Sequence, residues 1–481
     1  MDLSKISSFQ DAVVTLMGLG RYKQGSGIGA AKWLMRHGAQ LVITDLKSEE
    51  ELKESVEEVT GWYERYKKEY PGREIYAPVF VLGEHRAENF TDVDLVVQNP
   101  GVPRESAFVK SAKERGISVE SDMSLFFRFC PFPIYAVTGT RGKSTTTALI
   151  GEMFKQKDPR TVVAGNIAVS PLEFLDELMV ASEPTPIILE LSSWLIESLG
   201  NVRRGPDIAV FTNVYEDHLN RYASFADYIA SKEALFVRQG SDQWAVLNFE
   251  HEIVRGTAGK TEAKKMWFAK EGTFEGDGAY VQGGFIVFRK DGSVEPVFPT
   301  SEIKLQGDHN LQNVLAAVCV GKIAGLSNEQ MAEALRTFGG LPGRQEVVRE
   351  VNGITYVNDT TATSPDGAIA ALERFGEGKK VVLIAGGASK NLPFDKLGEE
   401  IGRTCKTVVL LEGDATDALD AAIGDTVLKL RADSMAKAVE AASSAAQFGD
   451  VVLLSPGTAS FGMFKNEYDR GDQFVEAVRG L

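Results

Sequence analysis

With 481 residues, 43% of them hydrophobic and 25% charged, the chain is long enough for about three domains, each with its own core. Its net charge of −15 argues against a broad nucleic-acid footprint, while leaving room for a local basic pocket. Three widely spaced cysteines, Cys130, Cys319 and Cys405, form no C-x-x-C pair, which argues against a disulfide framework and fits a reducing compartment.

The start of the chain has no long apolar segment before a small-residue cleavage site, and no run approaches about 18 unbroken apolar residues. Neither a signal peptide nor a membrane span is expected, so the chain is read as cytoplasmic. The first part alternates strands and helices. "AVVTLMGLG" is an apolar run ending in glycines, "GIGAAKWLMRHGAQ" has helical spacing, and "LVITD" and "DLVVQNPGVP" are further strands. Such alternation implies a parallel, doubly wound sheet. "FFRFCPFP" near residue 130 reads as a linker. The second part contributes strands in "PIILELSSW" and "DIAVFTNVYEDHLN", then a stretch from about 245 to 305 of short strands with glycine turns, read as a β-rich insertion. "DHNLQNVLAAVCVGKIAGL" is an amphipathic helix closed by glycine. In the third part "ITYVNDT", "KVVLIAGG", "TVVLLEG" and "DVVLLSPGTAS" are strand candidates, separated by helices such as "SMAKAVEAASSAAQ".

The chemistry gathers at strand ends. In "AVTGTRGKSTTTALIGEMF" an apolar strand runs into G-x-x-G-K-S and then a helix. Gly139 and Gly142 allow a tight turn whose N–H groups face a phosphate, Lys143 reaches the outer phosphates, and Ser144 suits Mg2+. The full G-x-x-x-x-G-K-[ST] pattern is not met, because Val137 takes the first glycine position. Glu190 ends an apolar strand, where it is either a metal carboxylate or an ordinary strand-end acid. Glu216, Asp217 and His218 follow another strand, as a metal or phosphate group or as a solvated loop. Asn166, Asn310 and Asn313 could read a base edge or simply cap and bridge helices. "GLGRYKQGSGIG" and Asp45 resemble a stretched dinucleotide fingerprint and carry a dehydrogenase alternative.

Together these motifs resemble the Mur ligases, the ATP-dependent amide-forming enzymes of peptidoglycan precursor synthesis, over nearly the whole chain. "TGTRGKSTTT", "LELSSW", "NVYEDHLNRYASFADYIASKEALF", "GDHNLQNVLAA", "GLPGRQEVV" and "VNDTTATSPDGAIAAL" carry the resemblance, and "LSPGTASFGMFKNEYDRGDQF" is most similar to MurD-type endings. Arg141 stands where an Asn is common, and Thr361 where many MurD-type sequences carry lysine.

The resemblance implies an α/β protein of three domains: Rossmann-like and UDP-sugar-binding (1–130), a P-loop ATPase with a β-rich insertion (131–340), and Rossmann-like and glutamate-binding (341–481). It implies a UDP-sugar near Gly18, Gly20, Asp45, Asn99 and Asn166, and ATP on Gly139, Thr140, Gly142, Lys143, Ser144, Thr145, Asn310, Asn313, Arg344 and Asp359. Two magnesium ions fall to Ser144, Glu190, His218 and Lys232, the last as a carbamylated lysine. Without the resemblance Lys232 reads as a solvated helix residue. Lys143, His218 and Lys232 take the catalytic roles, and Thr363, Lys390 and Ser460 the glutamate.

The expected reaction joins D-glutamate to UDP-N-acetylmuramoyl-L-alanine through an acyl phosphate, in a monomer that engages no nucleic acid or membrane. The same ligation with L-glutamate, another Mur-type or folylpolyglutamate-type ligase, a nucleotide switch and an NAD-dependent dehydrogenase stand as alternatives.

Overall fold

The computed structural model describes the chain except residues 21–23, 104, 167–168, 201, 218–220, 306 and 391. Two compact units are present. The first comprises Met1–Asp217 and Ser224–Phe338, and the second is built on Gly339–Leu481.

The first unit holds two sheets. The N-terminal sheet contains β1 (Val13–Met17), β2 (Gln40–Asp45), β3 (Val79–Leu82), β4 (Leu95–Gln98) and β5 (Ser118–Glu120). Their order is β3-β2-β1-β4-β5 and all pairs are parallel. The central sheet contains β6 (Ile134–Thr138), β7 (Val162–Gly165), β8 (Ile187–Glu190), β9 (Ile208–Phe211), β10 (Trp244–Asn248), β11 (Lys264–Phe268), β12 (Gly278–Gln282), β13 (Phe285–Lys290) and β14 (Ser293–Pro299). Its order is β14-β13-β12-β11-β10-β9-β6-β8-β7. The β-rich stretch is therefore an extension of the central sheet. β10 to β12 continue it in parallel, and β12, β13 and β14 close it as antiparallel hairpins.

Parallel strands covered on both faces are apolar throughout, and "IILE" in β8 and "IAVF" in β9 are buried at every position. The helices Lys143–Lys155 and Asp308–Ile323 cover the sheet; Leu149, Ile150, Met153, Val314, Leu315 and Val318 join its core. Because the chain leaves β6 for β7, returns to β8 and then crosses to β9, β6 lies between β8 and β9. That reversal opens a crevice at the carboxyl ends of these strands, where open α/β sheets bind ligands.

Polar side chains tie the two sheets of the first unit together. Asp122 is buried and accepts a hydrogen bond from Ser170 Oγ at 2.8 Å. Asp176 accepts from Trp33 Nε1 at 3.0 Å, lies 2.8 Å from His37 Nε2, and pairs with Arg36 Nε at 3.2 Å. Burial opposes ionisation of Asp176, but His37, Arg36 and Trp33 outweigh it and hold the carboxyl below its ordinary value. A carboxyl lowered on folding stabilises the native state above its unfolded pKa, and that contribution is lost as pH falls through the folded value. Asp176→Asn is therefore expected to lower the urea midpoint at pH 6 while leaving it nearly unchanged at pH 2.5. An equal loss at both values would remove the ionic contribution.

The second unit holds β15 (Glu346–Val351), β16 (Ile354–Asn358), β17 (Val381–Ala385), β18 (Cys405–Leu411), β19 (Leu428–Ala432) and β20 (Val451–Leu454), in the order β15-β16-β20-β17-β18-β19. Only β15 runs antiparallel to its neighbour. Among the described residues no helix is long and apolar enough to cross a membrane.

Candidate active site

The turn after β6 is shaped by its glycines. Gly139 has φ +151°, and a β-carbon there would lie 2.0 Å from Thr212 Oγ1. Gly142 has φ +77°, and a β-carbon would lie 2.3 Å from Asn313 Oδ1. The turn is thus pressed between the end of β9 and the helix Asp308–Ile323, and backbone contacts fix it. Thr140 N donates to Asn213 O at 2.8 Å, and Arg141 N donates to Asn213 Oδ1 at 2.9 Å. Thr212 Oγ1 donates to Arg141 O at 2.6 Å. At Arg141 these contacts use main-chain atoms, so an arginine fits where an asparagine is common. Gly142→Ala is expected to destabilise the protein by roughly 1–3 kcal/mol, from the left-handed backbone and the displaced Asn313. It should also weaken nucleotide binding. Urea unfolding and nucleotide titration check both, and an unchanged midpoint would mean that the turn is not under this constraint.

Two lysines converge on this turn. Lys143 begins the helix Lys143–Lys155, and its Nζ donates to Gly139 O and Thr140 O, both at 2.9 Å. Lys232, from the helix Phe225–Val237, donates to the same Gly139 O at 2.9 Å. Lys232 is 1% exposed, with its ammonium 4.6 Å from the centre of the Tyr228 ring. Burial first, and then the charge of Lys143, hold the Lys232 amine well below its ordinary value, against the opposing pull of Asp217 and Glu190. The solvated-helix reading of Lys232 is overturned: its helix buries Tyr228, Ser231, Lys232 and Glu233.

Glu190 ends β8 and sits beside the turn, in register with Val137 of β6. It is 1% exposed. Asn166 Nδ2 donates to its Oε1 at 2.8 Å, while its buried Oε2 has no hydrogen-bond partner. Leaving such an oxygen unsatisfied is costly, so the arrangement suits a cation. Ser144 is buried at the start of the neighbouring helix. Hard oxygen donors of this kind match Mg2+, which is commonly held by one or two carboxylates together with substrate phosphates. Among the described residues no three His, Cys, Asp or Glu side chains form a ready-made metal group, as that mode of binding requires none. His218 lies outside the described residues.

The remaining ATP candidates of this unit are nearby. Asn313 faces Gly142 and donates through Nδ2 to Asn310 Oδ1 at 3.2 Å, and both amides are buried. Thr145 is half-buried in the first turn of the helix after the glycine turn.

A second cluster lies at the carboxyl end of the N-terminal sheet. Gly18 and Gly20 both have positive φ, and a β-carbon on Gly18 would come within 3.0 Å of Asn99 Cβ. Asp45 Oδ2 accepts from Leu19 N at 2.9 Å and its Oδ1 from Lys47 N at 3.0 Å. Asn99 Oδ1 accepts from Gly101 N at 3.0 Å. Asn166 is not part of this cluster, since its side chain is bonded to Glu190, although Ser170 N of the same loop donates to Gln24 O at 2.8 Å.

In the second unit the candidates occupy loops after parallel strands. Asp359 follows β16, with Oδ1 accepting from Gln345 N at 3.1 Å and Oδ2 from Ser455 Oγ at 2.7 Å, which places it next to the Arg344 segment. Lys390 Nζ, after β17, donates to Thr363 Oγ1 at 3.0 Å. Ser460, after β20, is buried. Ala388 and Ala459 pair as an isolated bridge between those last two loops. Thr363, Lys390 and Ser460 thus stand on three neighbouring strand ends.

Residues 137–321 match the Mur ligase middle domain, and residues 343–457 match the Mur ligase glutamate ligase domain. A UDP-N-acetylmuramoylalanine–D-glutamate ligase of Roseiflexus sp. (strain RS-1) is 40% identical over 97% of this chain and 98% of its own. Another, from Pelotomaculum thermopropionicum, is 36% identical over 99% of both. The solved MurF ligase of Thermotoga maritima in complex with ADP shares the fold, with a TM-score of 0.59 and 17% identity over 100% of this chain and 98% of that one. The chain belongs to the Mur ligase family, in its MurD-type branch. Use of ATP and Mg2+ is typical of this family.

Proposed function

We propose that this chain joins D-glutamate to the alanine carboxylate of UDP-N-acetylmuramoyl-L-alanine, converting ATP to ADP and phosphate, in the cytoplasm and as a monomer. The observation that carries the reading is the crevice at β6, β8 and β9. There Lys143 and Lys232 share one carbonyl beside a buried carboxylate with an open oxygen.

In this reading residues 1–130 hold the UDP-sugar, with Gly18, Gly20, Asp45 and Asn99 around it. Residues 131–340 hold ATP, and 341–481 hold glutamate on Thr363, Lys390 and Ser460. Gly139, Thr140, Gly142, Lys143, Ser144 and Thr145 cradle the phosphates, where backbone N–H groups and a helix start favour an anion. Asn310 and Asn313 complete the nucleotide site of that unit, and the family resemblance assigns Arg344 and Asp359 to the nucleotide as well. Asn166 orients Glu190 through its 2.8 Å bond.

A carboxylate is a poor electrophile. Its oxygen attacks the terminal phosphorus of ATP, ADP leaves, and the acyl phosphate that forms is open to the glutamate amine. Nitrogen attack gives a tetrahedral centre, and its collapse expels phosphate and leaves the amide. Lys143 offsets the charge on the transferring phosphoryl group. Ser144, Glu190, His218 and a carbamylated Lys232 would hold two magnesium ions, which when bound would supply Lewis-acid stabilisation of phosphate oxygens. The modification of Lys232 has a physical basis. Burial and a neighbouring cation favour its neutral amine, the form that adds carbon dioxide, and the resulting carbamate is an anion suited to a metal.

Carboxylate-18O substrate tests the chemistry. One labelled oxygen is expected in the released phosphate. Unlabelled phosphate would exclude the acyl phosphate.

A further inference from the structure

Arg470 lies in the helix Glu467–Arg479, within the charged stretch "NEYDRGDQF", yet it is 0% exposed. Its Nη2 donates to Thr360 O at 2.8 Å and its Nε to Thr360 Oγ1 at 3.1 Å. Its Nη1 reaches Ala459 O at 3.3 Å and Thr458 O at 3.4 Å. Thr360 Oγ1 in turn donates to Glu467 O at 2.7 Å, closing a loop back to the same helix. Gly471 permits this contact, since a β-carbon there would sit 2.6 Å from Thr360 Cγ2.

One guanidinium therefore spans the loop after β16 and the loop after β20. The Ala388–Ala459 bridge extends the connection to the loop after β17. These are the three loops that carry Thr363, Ser460 and Lys390. Arg470 bonds mainly to carbonyls, and burial lowers its guanidinium only to about 10, with Glu467 and Asp359 opposing, so it stays charged at neutral pH. Buried arginines are costly unless several acceptors converge on them, and a planar fork can reach acceptors on two loops at once.

We infer that Arg470 is a positioning residue for the amino-acid substrate: it locks the loops after β16 and β20 into the spacing that lets Thr363, Lys390 and Ser460 engage glutamate together. This inference rests on the glutamate-site reading above. The side chain is sealed beneath the loops and acts through them.

The test compares Arg470→Lys, Arg470→Gln and Lys390→Ala by steady-state kinetics, with each of the three substrates varied in turn. Arg470→Gln is expected to raise KM for D-glutamate about 10-fold or more, with KM for ATP and the UDP-sugar changed less than about 2-fold. Arg470→Lys keeps the charge but not the fork, and should give a smaller rise in the same KM alone. Should the glutamine variant fail to fold, the lysine variant decides. Equal changes in all three KM values, or an unchanged glutamate KM in a folded variant, would overturn the inference. If that result comes with a raised glutamate KM in Lys390→Ala, only the role of Arg470 falls. An unchanged glutamate KM in Lys390→Ala as well would remove the glutamate-site reading itself.

Discussion

Lys143→Ala is expected to lower kcat for ligation by about 1,000-fold or more while leaving UDP-sugar affinity within about 2-fold of the parent. Removing a preorganised donor aimed at developing charge typically costs two to three orders of magnitude, that is about 3–4 kcal/mol. Lys143 also stands at a helix start, where an anion is favoured, and it holds Gly139 O and Thr140 O. Its loss therefore removes a charge and loosens the turn. The N-terminal cluster at Gly18, Asp45 and Asn99 belongs to a different sheet and should be untouched. Calorimetry with each ligand separates the two effects. Equal loss of both affinities would show that the turn and the sugar-nucleotide site are not independent.

The second large effect is at Lys232. Lys232→Ala is expected to be nearly inactive, down by about 1,000-fold, with partial recovery when short carboxylates are added. On the proposed reading, an anion entering the vacated space would replace the carbamate as a metal partner. Lys232→Arg should stay inactive, because it keeps the positive charge and cannot be carbamylated. Full activity in the alanine variant would eliminate the carbamate role.

A stability signature accompanies the loss. The folded pKa of Lys232 lies below 10.5, so the cost of burying its charge is full below the folded value and falls away as pH rises toward 10.5. In metal-free and carbon dioxide-free buffer, Lys232→Met should therefore unfold at a higher temperature than the parent at pH 7. The gain should shrink by pH 10. A constant gain across that range would point to packing alone.

What could be read from the sequence was local. The glycine turn, the strand-end Glu190 and the alternation of strands and helices are written in runs of a few residues, and each appears where its spacing places it. Strands whose side chains are covered on only one face were harder to see. β15, "EVVREV", and β19, "LKLRA", carry charges at exposed and half-exposed positions and are not among the strands read from the sequence. Long-range contacts left no local trace. Nothing near Lys232 announces that its ammonium reaches a carbonyl 93 residues away, and Asn166 gives no sign of its bond to Glu190. Arg470 is the extreme case, since its polar neighbours suggest a solvated helix although the side chain is sealed inside. The third-domain residues were located through the family resemblance, because single polar residues after strands do not distinguish a binding loop from a capped turn.

The handedness of the amino acid decides between D-glutamate ligation and its alternatives. The chain carries Thr361 where many MurD-type sequences have lysine, and the Thr361 hydroxyl donates to Gly343 O at 3.0 Å. Lys390 and Ser460 remain at the matching positions. The measurement is ligation with pure D-glutamate and pure L-glutamate at matched concentrations, with ATP, Mg2+ and UDP-N-acetylmuramoyl-L-alanine. Product is identified by mass spectrometry and rates are compared as kcat/KM. A preference for D-glutamate of about 100-fold or more is expected, since a site that bonds both carboxylates and the amine leaves groups unpaired with the wrong enantiomer. Comparable rates with both forms, or a preference for L-glutamate, would contradict it.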